Sequence, residues 1–505
     1  MNALVPTLGA RPTSVPPEWR SLVPDGAERT RRRILYVTSE MSDFIKSGGL
    51  GDVSAALPRS LREQYDVRVL IPGYRQVLAE QPSIEVVARL PAAHGLPAGE
   101  LGRIVSADGL TIYVILCADL YDREGSPYGD GAGLDWADND LRFARLGLAA
   151  AQVAGGIADL DWTPDLLHLN DWPSALGSAY LAWGGVPVPS VLTIHNLAYQ
   201  GLFDRTRTAP LGVPDAAFQI EGVEFYGKLS FLKAGIVYAS HVTTVSETYA
   251  REITTPEFGC GLDGLLRRCE QEGRLTGILN GIDETWDPRT DAHLETAFAP
   301  GDWSGKSSNT DEVRRDFGLA VSRGPLFAVV SRLVHQKGVD LTIEATETIV
   351  RQGGQVVATG RGEDRFERGL QDLAGRYPGQ VGVRIGFEEA TARKMFAGSD
   401  FLLMPSRFEP CGLSQMYAQR MGSLPIARET GGLADTIEDG VTGFLFRDPS
   451  LAAMLSAVYR AVDAYGSRRK LNGMRKAAMK RSFDWARSAS GYAGVYDRVT
   501  ADAAR

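Results

Sequence analysis

Short runs of apolar and β-branched residues recur along the chain, and within each run the pattern is continuous rather than alternating. In the first half these are ILYVT (34–38), VRVLIP (67–72), IYVIL (112–116), LLHL (166–169), SVLTI (190–194) and HVTTV (241–245). Such runs belong to strands buried on both faces, as in a parallel sheet. Alanine- and leucine-rich stretches at 139–153 and 174–183 separate some of them and have helical composition. Strands alternating with helices imply right-handed βαβ units around an open sheet.

Residues 286–312 interrupt this rhythm with proline, glycine and polar clusters, the composition of a boundary. A second series of apolar runs follows: LFAVV (326–330), QVVAT (355–359), VGVRI (381–385), FLLMP (401–405) and LPIA (424–427). The expected fold class is therefore α/β, with two Rossmann-like domains whose parallel sheets face a central cleft. The boundaries read as a loose tail over 1–30, a first domain over 31–290, a connection over 291–320 and a second domain over 321–482. A helical segment over 483–505 is expected to pack back on the first domain. The tail carries five prolines and too little apolar surface to offset its ordering entropy.

At 505 residues the chain exceeds what one core usually supports, and 44% apolar residues are enough to build two. A net charge of −8 gives no general attraction to phosphate backbones or anionic lipid, so neither a nucleic acid nor a membrane is expected as a partner. The one basic cluster considered, Arg31-Arg32-Arg33, reads as the solvated edge of the first strand. Cys117, Cys260, Cys269 and Cys411 form no CxxC pair, which suits a reducing compartment and argues against a structural zinc site. With no signal-like or membrane-spanning stretch, the expected location is the cytoplasm.

In open α/β sheets ligands lie beyond the carboxyl ends of the strands, so the loops after the apolar runs are where chemistry is expected. The first carries Lys46-Ser47-Gly48-Gly49-Leu50-Gly51 ahead of a helix. Glycine amides, a helix start and a lysine suit a diphosphate or its sugar; an ordinary βα turn with a solvated lysine is the competing reading. Only nine lysines occur in the chain, which singles this one out. The loop has neither the dinucleotide fingerprint GxGxxG nor the P-loop pattern, which excludes those loops here. HLNDWP (168–173) and TIHNLAYQG (193–201) place Asp171, His195 and aromatics where a sugar can stack and hydrogen-bond. His168, inside a strand, reads as structural; for His195 a satisfied turn histidine remains an alternative.

Asn280-Gly281 closes the first domain and is by itself only a turn signal. Arg332 and Lys337 follow a buried strand and can converge on the phosphates of a leaving nucleotide, with a solvated basic pair as the alternative. The densest cluster is SRFEPCGLSQ (406–415) with ETGGLADT (429–436). There Glu409 suits sugar hydroxyls, and Gly412-Leu413 and Thr430-Gly431-Gly432 suit a diphosphate. Cys411 reads as a packing residue or site neighbour, not a nucleophile. The D-x-D pairs Asp138/Asp140 and Asp159/Asp161 are discounted as metal ligands, Asp138 being read as a helix cap.

Taken in order, KSGGLGDV, HLNDWPSAL, TIHNLAYQG, FYGKLSFLKAGI, TPEFGCGLDGLLR, GILNGID, SRLVHQKGVD, SRFEPCGLSQMYA and TGGLADT resemble bacterial glycogen synthases and plant starch synthases from about 33 to 497. The resemblance implies a GT-B fold and transfer of glucose from ADP-glucose to the nonreducing end of glycogen or another α-1,4-glucan, with retention and with no cofactor or metal. It implies that Lys46, Gly48, Gly49, Asn280, Cys411, Gly412, Leu413, Thr430, Gly431 and Gly432 bind the nucleotide sugar. Arg332 and Lys337 would stabilise the departing diphosphate, Glu409 would contact the transferred glucose, and Asp171 and His195 would orient sugar and acceptor. The loop often reads KTGGL in the family and reads KSGGL here, and the segment NDWP carries a proline after Trp172. Competing readings are a UDP-glucose donor, a small-sugar acceptor, or a catalytically silent glucan-binding paralogue.

Overall fold

The computed structural model describes residues 31–503 apart from 81, 82, 132 and 158, so the stretch read as a loose tail lies outside the described residues. The first lobe is built on strands β1 (Arg33–Val37), β2 (Asp66–Pro72), β3 (Glu85–Leu90), β4 (Gly99–Val105), β5 (Thr111–Leu116), β6 (Leu166–Asn170) and β7 (Ser190–Ile194). A small antiparallel sheet of β8 (Leu202–Asp204), β9 (Glu224–Phe225) and β10 (Lys228–Ser230) intervenes before β11 (His241–Thr244) and β12 (Leu275–Gly277). The large sheet runs β12-β11-β7-β6-β1-β2-β5-β4-β3 and is parallel except where β4 lies antiparallel to both neighbours.

Each first-half run read from the sequence forms a strand, and 139–153 and 174–183 fall within the helices Asn139–Ala154 and Asp171–Trp183. The sequence reading missed β3, β4, the three-residue β12 and the small sheet. β3 has mostly solvent-facing residues at an edge and β4 carries two glycines, so neither shows a continuous apolar run.

The second lobe holds β13 (Leu326–Val330), β14 (Gln355–Gly360), β15 (Val381–Ile385), β16 (Phe401–Met404), β17 (Leu424–Arg428) and β18 (Phe444–Phe446), all parallel in the order β15-β14-β13-β16-β17-β18. Its sheet is covered by separate hydrophobic clusters. One of them includes Val245, Ile282 and Trp286 from the first lobe and its exit, so the lobes share packed apolar surface. Trp286 stacks on Tyr417 with ring centroids 3.7 Å apart, and Arg393 lies over Trp286 at 4.0 Å.

The final helix, Trp485–Ala503, returns to the first lobe. Arg32 pairs with Asp497 at 2.6 Å, and the Tyr496 hydroxyl meets His168 Nδ1 at 2.7 Å. His168 Nε2 is 2.7 Å from Thr193 Oγ1, so this histidine is spent within the core. The chain crosses between lobes twice in close company, with Ile282 N donating to Phe483 O at 2.9 Å.

Two expectations need correction. Asp138 does precede a helix, but its carboxylate pairs with Arg123 at 2.6 Å instead of capping, because a bidentate guanidinium outcompetes a backbone N–H. The chain also has a second basic cluster besides Arg31–Arg33: residues 468–481 carry seven cations and no carboxylate. Of these, Arg475 is buried against Asp400 and Lys470 pairs with Asp463 at 3.0 Å. Among the described residues no helix is long and apolar enough to cross a membrane.

Candidate active site

Between the lobes lies a cleft of about 1530 Å³, lined from both sides by loops at the carboxyl ends of strands. Of the residues named from the sequence, Lys46, Gly48, Gly49, Asp171, His195, Asn280, Arg332, Lys337, Glu409, Cys411, Gly412 and Leu413 line it. Thr430, Gly431 and Gly432 do not; they are buried behind Glu409.

On the first-lobe wall, β1 ends in a turn that delivers Glu40 to the base of the lysine loop. The buried Glu40 carboxylate accepts Ser47 N at 2.6 Å, Gly48 N at 3.0 Å and the Tyr128 hydroxyl at 2.5 Å. The loop is thereby fixed, but the Gly48 amide that the sequence reading left open to an anion is already taken. Lys46 Nζ pairs with Asp52 at 2.7 Å. Burial raises the Asp52 carboxyl above its ordinary value, with the Lys46 charge opposing. A methyl on Gly49 would sit 3.8 Å from Leu413 of the other lobe, so these two predicted residues face each other across the cleft.

Asp171 stands at the junction of β6 and its helix with φ +52°, a left-handed conformation that costs a non-glycine residue about 1–2 kcal/mol. That turn aims its carboxylate at backbone amides, and Oδ1 accepts His195 N at 2.7 Å and Asn196 N at 3.4 Å. Burial nevertheless pushes its pKa up to about 7. Asn170 Nδ2 donates to Val37 O at 3.0 Å, which leaves its Oδ1 to accept from His195 Nε2, also at 3.0 Å. Burial lowers the His195 pKa to about 3, so the ring is neutral with Nδ1 as its acceptor.

The second-lobe wall holds opposed charges. Lys337 Nζ lies 2.6 and 2.8 Å from the two oxygens of Glu409, and Ser406 donates to Glu409 at 2.9 Å. Arg332, expected beside Lys337, is exposed and instead reaches across the cleft to the Tyr199 hydroxyl at 3.4 Å. Two glycines allow this loop its shape. Gly412 has φ +70°, and a side chain there would meet Gln415 at 2.5 Å; a methyl on Gly431, at φ +45°, would fall 1.9 Å from the Glu409 carbonyl. Burial pushes the Cys411 thiol up to about 12, which removes it as a thiolate nucleophile. Asn280 is buried with no partner for its Oδ1, an acceptor that a ligand hydroxyl can satisfy.

Sequence reasoning missed Glu40, Asp52, Tyr128 and Phe387, all of which line the cleft. Phe387 is 65% exposed and follows β15, so the rule that located the other loops would have found it. No local signal marked Tyr128, whose hydroxyl finds Glu40 only through the fold.

Comparison with known proteins places this geometry. A starch synthase catalytic domain model matches residues 33–268, and a model for glycosyl transferases group 1 matches residues 311–480. A glycogen synthase of Pseudomonas putida is 58% identical over 476 residues, covering 94% of this chain and 92% of the relative. Glycogen synthase 1 of Bradyrhizobium diazoefficiens is 58% identical over 461 residues, covering 91% of this chain and all (100%) of the relative. Among solved structures, the catalytic domain of starch synthase IV from Arabidopsis thaliana, bound to ADP and acarbose, superposes with a TM-score of 0.82 at 28% identity. That match covers 94% of this chain and 100% of the other. A sucrose-phosphate synthase from Thermosynechococcus elongatus, at 16% identity and a TM-score of 0.57, shares the fold.

Proposed function

This chain belongs to the glycogen and starch synthase family of glycosyltransferases, and from that premise we propose that it transfers glucose from ADP-glucose to the nonreducing end of an α-1,4-glucan with retention. The observation that carries the reading is the Lys337–Glu409 pair, a cation and a carboxylate held together on the second-lobe wall of a cleft whose other wall carries Lys46, Asp171 and His195. A donor carries both partners that such a pair needs. Its diphosphate takes Lys337, and its sugar hydroxyls take Glu409. The starch synthase bound to ADP supports the choice of nucleotide. Phe387, an exposed aromatic on the same lobe, supplies a face on which a base stacks.

In this mechanism the bond from the anomeric carbon to the diphosphate oxygen breaks while the acceptor 4-hydroxyl attacks from the same face. The hydroxyl proton passes to the departing phosphate oxygen. Lys337 and Arg332 stabilise the charge that develops there, Lys337 by about 3–4 kcal/mol by analogy with one oxyanion donor and the exposed Arg332 by about 1.4 kcal/mol, a factor of ten in rate. His195, neutral at working pH, orients hydroxyls by hydrogen bonding without adding charge to the site. Asp171 holds the His195 backbone and so the position of that ring. Closure of the cleft excludes water, which competes as an acceptor.

The test is transfer of labelled glucose to a glycogen primer, with ADP-glucose and UDP-glucose side by side and EDTA in one arm. EDTA-resistant incorporation from ADP-glucose is the expected result. Incorporation from UDP-glucose alone replaces the donor assignment. No incorporation from either, by folded protein that binds glucan, overturns the transferase reading for this acceptor.

A further inference from the structure

Two short helices from different lobes cap one another immediately behind Glu409. Glu247–Glu252 follows β11 in the first lobe, and Gly431–Thr436 follows β17 in the second. Helix starts leave N–H groups without partners, and the residue just before the helix usually satisfies one of them. Ser246 does this for the first helix, accepting Tyr249 N at 3.2 Å. Thr430 holds the equivalent place in the second, yet its hydroxyl donates to Glu252 at 2.8 Å and caps nothing. Glu252 takes over that task from the opposite lobe, its two oxygens accepting Gly431 N at 3.0 and 3.1 Å. The exchange is mutual, because Asp435 accepts Thr248 N at 2.9 Å and the Thr248 hydroxyl at 2.5 Å.

What this clamp grips is the backbone of Glu409. Gly432 N donates to the Glu409 carbonyl at 3.0 Å, and Gly431 packs so closely on that carbonyl that it has no room for a side chain. From the first lobe, Ser246 Oγ donates to the next carbonyl, Pro410 O, at 2.5 Å. The two peptides that follow Glu409 are therefore held by groups that answer to the lobe carrying Asp171 and His195.

We propose that Glu252 and Asp435 are positioning residues for glucosyl transfer, setting Glu409 in register with the opposite wall through the Thr430–Gly432 turn. The proposal rests on the reading of Glu409 as the group that meets the donor sugar. A misplacement of about 1 Å at a reacting centre costs about 10²-fold in rate, so the clamp acts on turnover and only weakly on nucleotide affinity.

The full-length variants Glu252→Ala, Glu252→Gln and Asp435→Asn test it, assayed for glucose transfer from ADP-glucose to glycogen well below each melting temperature, with ADP binding measured by calorimetry. Glu252→Ala is expected to lower kcat about 10- to 100-fold while the Kd for ADP stays within about threefold. Glu252→Gln keeps one acceptor oxygen for Gly431 N–H and recovers turnover to about three- to fivefold below native. A kcat within twofold of native for folded Glu252→Ala overturns the proposal. So does a loss of ADP affinity as large as the loss of kcat, which is the signature of general loosening. Should Glu252→Ala not fold, Glu252→Gln and Asp435→Asn decide: a drop of about three- to tenfold in kcat with ADP binding retained supports the clamp, and a smaller drop in both overturns it. Glu409→Gln runs alongside. If it keeps near-native turnover, the reading of Glu409 fails and the clamp loses its purpose; if it is inactive, the Glu252 result stands alone.

Discussion

The two walls of the cleft solve opposite problems. On the first-lobe wall, the part-exposed Lys46–Asp52 pair apart, the polar side chains are spent mainly on fixed backbone: Glu40 holds Ser47 and Gly48, Asp171 holds His195 and Asn196, and His195 leans on Asn170. That wall is preorganised, and its histidine is neutral. On the second-lobe wall, among the described residues, the Lys337 and Glu409 side chains satisfy only each other and Ser406. On the proposed reading their pairing is exchanged for contacts to the donor, so this half would respond to the ligand while the other half waits in place. The difference teaches that a charged pair in a cleft is a store of contacts to be redistributed, whereas a carboxylate bonded to backbone amides is scaffolding.

The sharpest way to break this comparison is to remove one charge. Lys337→Ala is expected to lower kcat by about 10²–10³. It also leaves Glu409, only 5% exposed, buried without its cation, which costs about 3 kcal/mol of stability. Combining Lys337→Met with Glu409→Gln should restore the melting temperature but not turnover. A single variant as stable as native would mean that the pair is already exchanged with solvent and stores nothing.

Asp171→Asn probes the scaffold wall through pH. Burial raises the Asp171 pKa from 3.8 to about 7, so the folded state favours its neutral form. The stability tied to that proton is fully present below the unfolded value and is lost as pH rises through the folded one. A permanently neutral asparagine keeps it. The variant's stability relative to native is therefore expected to rise by about 4 kcal/mol between pH 4 and pH 8, measured by denaturant unfolding. A gap that narrows with pH would reverse the assignment.

Arg332→Ala should be gentler. Its side chain is exposed and touches only Tyr199 among the contacts described, so stability stays within about 0.5 kcal/mol, while kcat/KM falls about tenfold if the guanidinium swings to the diphosphate. Unchanged kinetics would leave Lys337 as the working cation. The smallest effect on folding belongs to Gly48→Ala. Gly48 has extended backbone, and nothing lies within 4 Å of an added methyl, so the melting temperature should hold and any rise in KM reads directly as obstruction of the donor.

Much of the architecture was legible because a strand buried on both faces announces itself locally, and β1, β2, β5, β6, β7, β11, β13, β14, β16 and β17 all do so; β15, a partly exposed edge strand, was legible from its alternating valines and isoleucine. An edge strand such as β3, half exposed, does not. The site was legible to the extent that strand-end loops carry ligands, which located Lys46, Asp171, His195, Lys337 and Glu409 and would have located Phe387. The same rule put Thr430–Gly432 at the ligand, whereas here that turn meets the Glu252 carboxylate and does not line the cleft, since a Gly-Gly turn that opens a helix looks alike whether it meets a phosphate or a protein carboxylate.

The sequence by itself determined the periodicities, the positions of the turns and the family motifs, all properties of residues close in the chain. Only the tertiary structure decided what each charge is paired with. Lys337 finds Glu409 across 72 residues, and Glu252 finds Gly431 across 179. Neither partnership leaves a local trace, because the energy of an ion pair or a hydrogen bond depends on distance in space and on burial, and both are set by how the two lobes close on one another.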